Sequence, residues 1–359
     1  MMKFNKTPPP KQPSIPNTVK NFGKMLRYKR GHLSPGEALF IEKYIVDVPG
    51  MHRDVPGNYY ISIAHPDGTP STTAFSCHLD TVHFGGNGFY VRPQNGNDED
   101  AMLQTIGYDD KYQTFFVNDP NSNCLGADDT AGIFLLLRMI RQEIPGLYLF
   151  HRGEEKGGIG SKDIAKNNRE LLEGIERVIA FDRKDDRSVI TQQRGRQCCS
   201  NEFALALGSQ LGPRWFPDPG GTFTDSASYM DFIPECTNLS VGYRNQHTRN
   251  EIQCMKPLLA LLDVIPKVKW DELPVKRDPS PPKIYSLPTK STPKPVQETI
   301  FDHENLTSEW VKSHSDEVFL YLTELIGVST VGEIMTELDD YLNQADENEL
   351  SRFQWEYPH

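Results

Sequence analysis

The chain has 359 residues, of which 37% are hydrophobic, and this length allows one large domain or two ordinary ones. It contains 38 Lys plus Arg and 49 Asp plus Glu, which gives a formal net charge of -11. Such an acidic balance argues against a general nucleic-acid-binding protein, because that class needs a basic face to neutralise phosphates.

Most of the negative charge lies at one end of the chain. Residues 302–359 contain fourteen acidic and two basic residues, so this acidic tail has a net charge of -12. The other 36 basic and 35 acidic residues leave +1 on residues 1–301. Apolar residues at helical spacing predict two amphipathic helices in the tail, at 315–326 and 330–343. We interpret the tail as a solubilising or partner-binding appendage.

Proline content predicts the segment boundaries before the tail. Residues 1–20 contain five prolines and little apolar sequence, so they are predicted to form a flexible arm. Seven prolines between 274 and 295 indicate an extended linker, with bounds at 271–301. Residues 21–270 are left as the folded body.

Helix and strand signals alternate along the body. Ser34 and Glu37 are spaced as in a capping box and predict a helix start. The Gly- and Asn-rich residues 84–123 are predicted to contain hairpins around 89–92 and 102–117. Strands are predicted at 59–64, 73–77, 147–151, 177–181 and 239–243, and helices at 131–142, 161–175, 202–211 and 255–265. This alternation predicts an α/β fold of three layers, α/β/α, with a mixed, mostly parallel central sheet.

No segment of the chain is predicted to cross a membrane. The most apolar run, 132–140, is short and contains Arg138. The N-terminus is polar and proline-rich, without the apolar core of a secretory signal. The six cysteines form no CxxC pair, so reduced thiols and a cytoplasmic location are expected.

Acidic and histidine side chains recur where predicted strands end or helices begin. His78 and Asp80 follow the strand at 73–77, and this spacing lets the imidazole bind a metal while the carboxylate fixes its tautomer. Asp128 and Asp129 open a helix, where a carboxylate either bridges two cations or serves as the N-cap.

The later strands end in further acids and a second histidine. Glu154 and Glu155 follow the strand at 147–151, where they either divide the roles of general base and metal ligand or form a solvated turn. Asp182 ends the next strand, and His247 follows the last one. Ligands bind at the carboxyl ends of strands in α/β sheets, and two imidazoles with bridging and terminal carboxylates are typical of a two-zinc site.

In this combination the sequence resembles the co-catalytic zinc exopeptidases, which include peptidase T-like tripeptide aminopeptidases, related carboxypeptidases and deacylases, and lidless zinc aminopeptidases. The resemblance covers residues 55–265. It rests on five segments in the family's order: HLDTV (78–82), GADDTAG (126–132), GEEKG (153–157), FDR (181–183) and HTRNE (247–251).

The resemblance also bears on the domain organisation of the chain. It implies that the body, 21–270, is a di-zinc peptidase catalytic domain. Members with a dimerisation lid insert a whole domain before the final histidine, whereas only 65 positions separate Asp182 from His247 here. A fold without an inserted lid domain is therefore expected.

The resemblance implies a centre of two zinc ions, with other divalent transition metals as the alternative. It assigns His78, Asp128 and Asp182 to one ion. It assigns Asp128, Glu155 and His247 to the other, so that Asp128 bridges the two.

The same resemblance implies roles for three further acidic residues. Asp80 orients His78. Glu154 is the general base that takes a proton from the water shared by the two ions. Asp129 is the alternative bridge to Asp128.

The sequence leaves three functions open. The leading hypothesis is a zinc-dependent aminopeptidase that hydrolyses short peptides through a metal-bridging hydroxide. The alternatives are a related zinc carboxypeptidase or N-acyl amino acid amidase or deacylase, and a non-catalytic binding module that keeps the fold. The expected ligand is a short peptide or an acylated amino acid, with neither nucleic acid nor membrane as a partner, and the acidic tail offers a surface for a protein partner.

Substrate-binding residues are the least determined part of the site. Asp225 is a candidate for holding a free amino terminus. Side chains that suit a carboxylate or line a pocket are Arg194, Arg196, Tyr243 and Arg244. The alternative for each is an ordinary polar contact. The extra residues 84–123 either wall the cleft or form a surface excursion.

Overall fold

The computed structural model of the chain describes residues 15–83 and 102–279. These belong to the first of two units into which the chain divides, at the boundary between Pro281 and Pro282. Outside the described residues lie most of the predicted arm, the hairpin predicted near 89–92, most of the linker, and the acidic tail with its two predicted helices. The bound between the linker and the acidic tail, at 301, stays a prediction.

Eight strands form the central sheet. In chain order they are β1 (His52–Arg53), β2 (Tyr59–Ile63), β3 (Thr73–His78), β6 (Gly146–His151), β7 (Arg177–Arg183), β8 (Ser188–Ile190), β11 (Phe216–Asp218) and β12 (Glu235–Ser240). Their spatial order is β1-β2-β6-β3-β7-β12-β8-β11. The four central strands β6, β3, β7 and β12 are parallel, whereas β2 and β8 flank them in the antiparallel sense. The predicted α/β class with a mixed, mostly parallel sheet is confirmed.

Helices cover the central sheet. They are α1 (Asn17–Met25), α2 (Pro35–Ile41), α3 (Ala127–Arg141), α4 (Ile159–Asn167), α5 (Asn201–Leu211) and α6 (Met255–Val264). Every residue of β3, β6 and β12 is buried, as expected for strands covered on both faces of a sheet. Helix α3 is buried along almost its whole length and packs on β3 and β7. Each described helix is too short or too polar to cross a membrane.

A second, smaller sheet has four antiparallel strands. Its order is β13-β14-β5-β4, with β4 (Ile106–Asp109), β5 (Thr114–Val117), β13 (Tyr243–Arg244) and β14 (Ile252–Cys254). A short pair, β9 (Gln192–Gln193) and β10 (Arg196–Gln197), stands apart from both sheets. The hairpin predicted around 102–117 is β4–β5, and β5 pairs with β14, just after the segment that carries His247.

The segment between Asp182 and His247 contains no inserted lid domain. All of residues 183–246 are described, and they form strands β8 to β13, helix α5 and a short 3-10 turn at Asp225–Tyr229. The strand predicted at 239–243 is two strands, because the chain turns at Gly242, whose φ is 98°. Glycine adopts this left-handed conformation without steric cost.

Two predicted boundaries of the body differ from those in the structure. Helix α1 starts at Asn17, inside the arm predicted for 1–20, and it buries Val19 and Phe22, because these side chains follow the proline run at helical spacing. The folded part also continues past Trp270: Leu273 is buried, and the Arg277 guanidinium donates to the Ile233 carbonyl (2.6 Å). The prolines near both boundaries led to the prediction of unfolded segments there. The packing of helix α1 and of residues 271–277 was therefore not predicted.

Candidate metal centre

The predicted ligands converge at the carboxyl-terminal edge of the central strands. His78 is the last residue of β3, and Asp182 lies near the end of β7, which pairs with β3 in parallel. Ligand atoms of three groups lie within 4.8 Å of one another: His78, Asp128 and Asp182; His78, Glu154 and Glu155; and Asp128, Glu155 and His247. Residues far apart in sequence therefore meet at one site.

One group of ligands is centred on His78. Its Nε2 lies 3.0 Å from Asp128 Oδ1 and 3.5 Å from Asp182 Oδ1. On the other side of the ring, Nδ1 lies 3.0 Å from the backbone carbonyl of Asp80 and 3.6 Å from its carboxylate. The carbonyl is therefore the nearer partner that fixes the ring, which differs from the carboxylate contact expected from the sequence.

The carboxylate of Asp80 has a different set of contacts. Its Oδ1 accepts hydrogen bonds from the backbone N–H groups of Gly153 (3.0 Å) and Glu154 (3.1 Å). Asp80 therefore connects the His78 strand to the turn that carries both glutamates.

A second group of ligands is centred on His247. Its Nε2 lies 3.2 Å from Asp128 Oδ2 and 3.0 Å from Glu155 Oε1. The two oxygens of Asp128 thus face two different imidazoles, which is the arrangement required of a bridging carboxylate. His247 sits in the loop between β13 and β14 and is 49% exposed.

Asp129 turns away from both histidine rings. Its Oδ1 accepts from the Gly132 N–H (2.8 Å), and its Oδ2 accepts from the His78 backbone N–H (3.2 Å). The peptide bond between Asp128 and Asp129 is cis. The two roles considered for this pair are therefore divided, since Asp128 faces the imidazoles and Asp129 binds one N–H group of the helix start, that of Gly132, as an N-cap does.

Three residues hold Asp182 in place, two through its carboxylate and one through its backbone. Thr224 donates to Oδ2 (2.6 Å), and the Tyr243 hydroxyl lies 3.1 Å from Oδ1. The Asn238 amide bonds both backbone groups of Asp182. Burial and the nearby charge of Asp128 raise the pKa of Asp182 to about 6.

Glu154 and Glu155 lie in a tight 3-10 turn framed by glycines. Gly153 has a φ of 73°, and a Cβ placed on it would meet the His32 ring at 2.9 Å, so a side chain would be both strained and crowded there. Burial raises the pKa of Glu154 well above its ordinary value, and burial together with Asp128 raises that of Glu155 to about 7.

The charges of the two imidazoles follow from their carboxylate neighbours. Burial alone would lower the pKa of His247. The carboxylates of Asp128 and Glu155 have a larger and opposite effect, and they raise this pKa to about 11. Burial works against ionisation of Asp128 as well, yet the hydrogen bonds from both histidines hold its pKa below the ordinary value. The cluster therefore favours positive charge between its carboxylates.

The donor set fits two zinc ions. Zinc takes imidazole nitrogens and carboxylate oxygens at about 2.0–2.1 Å, and tetrahedral coordination at that length puts ligand atoms about 3.3 Å apart. The four separations between histidine nitrogens and carboxylate oxygens run from 3.0 to 3.5 Å. Both groups of three ligands share Asp128.

A cleft of about 500 Å³, counted with its space open to solvent, adjoins the centre. The ligands that line it are Asp128, Asp182 and His247, and Glu154 and Tyr243 line it with them. Among the other lining residues are Phe223 and two cations that the sequence analysis missed, Arg183 and Lys184. Their position directly after Asp182 was the available signal.

Two of the five substrate candidates from the sequence, Asp225 and Arg196, lie away from this cleft. Asp225 is 2% exposed and 3.2 Å from His151, so it is not available to a substrate amino terminus. Arg196 pairs with Asp231 (2.7 Å) on the surface. Interior packing and surface ion pairing, neither visible in one sequence, account for these positions.

The other three candidates lie closer to the cleft. Arg194 stacks on the ring of Phe223 at 4.2 Å, and Arg244 pairs with Asp185 at 3.1 Å. Tyr243 lines the cleft, but its hydroxyl bonds Asp182, so it positions a ligand.

Peptidases are among the solved structures that share this fold. Aminopeptidase PepT from Bacillus cereus has a TM-score of 0.52 and 15% identity, over 69% of this chain and 96% of that one. A tripeptidase from Staphylococcus aureus has a TM-score of 0.52 and 15% identity, over 69% and 95%.

The TET1 peptidase of Pyrococcus horikoshii, which can assemble into a tetrahedron or a large octahedral shell, has a TM-score of 0.51 and 14% identity, over 69% and 98%. No protein-family model and no curated protein matches the sequence. The chain therefore shares its fold with these peptidases, which confirms, at the level of the fold, the resemblance to the co-catalytic zinc exopeptidases.

Proposed function

We propose that this chain is a metallopeptidase that hydrolyses an amide bond of short peptides, acting as an aminopeptidase with two zinc ions. The observation that carries the proposal is the geometry of Asp128. Its two oxygens face His78 and His247, and each histidine has a further carboxylate beside it, from Asp182 or Glu155. A fold shared with peptidases supports the same reaction class.

Each ligand would belong to one of two zinc sites or to both. His78 and Asp182 would complete one site, His247 and Glu155 the other, and Asp128 would serve both. Bound zinc supplies Lewis-acid polarisation of the scissile carbonyl and lowers the pKa of water.

Glu154 is proposed as the proton carrier of the reaction. It lines the cleft, and its carboxylate lies within 4.8 Å of the ligand atoms of His78 and Glu155. In the proposed reaction Glu154 takes a proton from the attacking water and delivers it to the leaving amine. The Asp80 carboxylate holds the backbone of the turn, so the base stays at a fixed distance from the ligands.

A second candidate function has one observation in its favour. Arg183 and Lys184 line the cleft, and a cation there suits a substrate carboxylate. This favours the alternative of a zinc carboxypeptidase or N-acyl amino acid amidase. Hydrolysis of aminoacyl anilides with no hydrolysis of N-acetylated analogues would support the aminopeptidase, and the reverse pattern would support the amidase.

The proposed location is the cytoplasm. All six cysteines are unpaired, and five of them are buried, as expected for a protein kept in a reducing compartment. The acidic tail is proposed to bind a protein partner.

The test of the proposed function is Glu154→Gln. The substitution keeps the shape of the side chain and removes the base, so kcat should fall by about 10²–10⁴-fold with zinc content unchanged. Glu170→Gln, at an exposed position, is the control and should leave both unchanged. Full turnover by Glu154→Gln would contradict the assignment of the base, and wild-type protein that binds no zinc would contradict the function.

A further inference from the structure

We propose that Glu251 is a positioning residue that sets the second zinc site by fixing the backbone of the bridging Asp128. The inference rests on the proposed function. Glu251 ends the HTRNE segment, it is 1% exposed, and the sequence analysis gave it no role.

Four consecutive backbone N–H groups donate to the carboxylate of Glu251. The donors to Oε2 are Leu125 (2.8 Å) and Gly126 (2.9 Å), and those to Oε1 are Ala127 (2.8 Å) and Asp128 (3.1 Å). Both oxygens are thus used twice, and the last donor is the bridging ligand itself.

These four N–H groups precede the regular part of helix α3. Asp128 (φ -77°, ψ 105°) and Asp129 (φ -114°, ψ 50°) have non-helical backbone conformations, and Asp129 caps the regular helix by accepting from the Gly132 N–H (2.8 Å). Buried N–H groups outside regular structure need an acceptor. Glu251 supplies it from 123 to 126 positions away.

Glu251 also belongs to the segment that carries the second imidazole. It follows His247 by four residues, its own N–H donates to the Thr248 carbonyl (3.1 Å), and it directly precedes strand β14. The Glu251 side chain therefore connects the loop of His247 to the loop of Asp128. His247 Nε2 and Asp128 Oδ2 lie 3.2 Å apart.

The two zinc sites depend on this connection to different degrees. His78 is fixed by strand β3 and by the Asp80 carbonyl, neither of which involves Glu251. His247 lies in a loop and meets Asp128 only if both loops keep their places. Loss of Glu251 should therefore weaken the site of His247 and Glu155 first.

The experiment is Glu251→Gln in the full chain, with zinc content measured after dialysis against zinc buffers of decreasing free concentration. The amide NH₂ would face two N–H donors, so two of the four hydrogen bonds are lost. Second-sphere changes at metal sites cost about 10–100-fold in affinity, and we expect a loss of that size for one of two zinc ions. Glu251→Asp keeps the charge with a shorter reach and should lie between.

Glu235→Gln is the matched control. Glu235 is 0% exposed, and its carboxylate also accepts four hydrogen bonds, one of them from the Ser200 N–H (2.6 Å) at the N-cap of helix α5. It begins strand β12, at the opposite end from the centre. We expect Glu235→Gln to lower the melting temperature by as much as Glu251→Gln does. Its zinc affinity should stay unchanged.

The outcomes separate this inference from the proposed function. Two zinc ions bound with wild-type affinity by both Glu251 variants would overturn the inference alone. So would an equal zinc loss in Glu235→Gln, because the effect would then be general destabilisation. Wild-type protein without zinc would overturn the proposed function and this inference with it. Should Glu251→Gln fail to fold, Glu251→Asp carries the measurement.

Discussion

The two histidines of the centre stand in contrasting surroundings. His78 is 1% exposed and ends a central strand that is buried along its whole length, whereas His247 is 49% exposed and lies in a loop with a φ of 63°. The sheet itself holds the first ligand in place. The second depends on contacts between loops, through Glu155 and through the hydrogen bonds that Glu251 accepts. We conclude that the central sheet positions one half of the site, and that contacts between loops position the other half.

The largest expected effect is the loss of stability when an ion pair next to the turn of Glu154 and Glu155 is broken. This turn contributes to both halves of the site. Arg152 Nη2 lies 2.9 Å from the carboxylate of Glu37, which is fully buried, and Arg152 directly precedes Gly153. Arg152→Met would leave that charge buried without its partner and should cost about 3 kcal/mol of unfolding free energy. Denaturant unfolding measures it. The double variant with Glu37→Gln should recover part of the loss, and a purely additive result would contradict the pairing.

Replacing each histidine by alanine tests the contrast directly. In chelator, His78→Ala should lower the free energy of unfolding by about 1–3 kcal/mol, because it leaves the buried Asp80 carbonyl without a donor. His247→Ala should lower it by less than His78→Ala does, because the His247 side chain is half exposed and solvent weakens its ion pairs with Asp128 and Glu155. Both variants should lose zinc. Equal destabilisation would show that the two halves are equally integrated into the fold.

A smaller effect is expected from an acidic residue, Asp271, at the end of β3 opposite His78. Its contribution depends on pH. Asp271 accepts hydrogen bonds from Thr73 (2.6 Å), the first residue of β3, and from His65 (2.7 Å). Burial raises the pKa of Asp271, but these hydrogen bonds lower it below the ordinary value. A lowered folded-state pKa gives stability that is present above the unfolded pKa of about 3.9 and is lost as the pH falls through the folded value.

Asp271→Asn should therefore flatten the dependence of melting temperature on pH below about pH 4. Asp263→Asn, at an exposed position, is the control and should leave the pH dependence of the melting temperature unchanged. An unaltered pH profile in Asp271→Asn would contradict a role for this carboxylate in holding the strand.

The smallest expected effect is that of removing an exposed positive charge from the cleft, on the side of His247. Lys184 is exposed and lines the cleft together with His247. Exposed ion pairs are worth about 0.2–1 kcal/mol, so Lys184→Met should raise KM for an acidic peptide by at most about fivefold and leave kcat unchanged. A neutral peptide of the same length is the control. Equal changes for both peptides would show that charge is not what Lys184 contributes.

The sequence was sufficient to predict the strands that end in ligands. His78 and Asp182 follow apolar runs, and the carboxyl ends of parallel strands meet at one edge of the sheet. It was not sufficient where the partner is distant. Glu251 binds four backbone N–H groups that lie more than a hundred positions earlier, and no local pattern predicts an acceptor supplied by another segment.

Two differences of detail have similar causes. Asp80 was expected to orient His78 by its carboxylate, but the backbone carbonyl lies closer, and the carboxylate is taken by the N–H groups of the glutamate turn. The strand predicted through 239–243 breaks because Gly242 adopts a positive φ. Competition among nearby donors and backbone conformation decide such cases, and neither is encoded in hydrophobic periodicity.

The opposite orientations of Asp128 and Asp129 have a consequence for tolerance to substitution. Asp128 faces the imidazoles, whereas Asp129 binds N–H groups of the helix start and of β3 inside the protein. A survey of variants scored by protein abundance should single out position 129, whereas a survey scored by turnover should single out both. Two chemically identical neighbours would then report separately on folding and on chemistry.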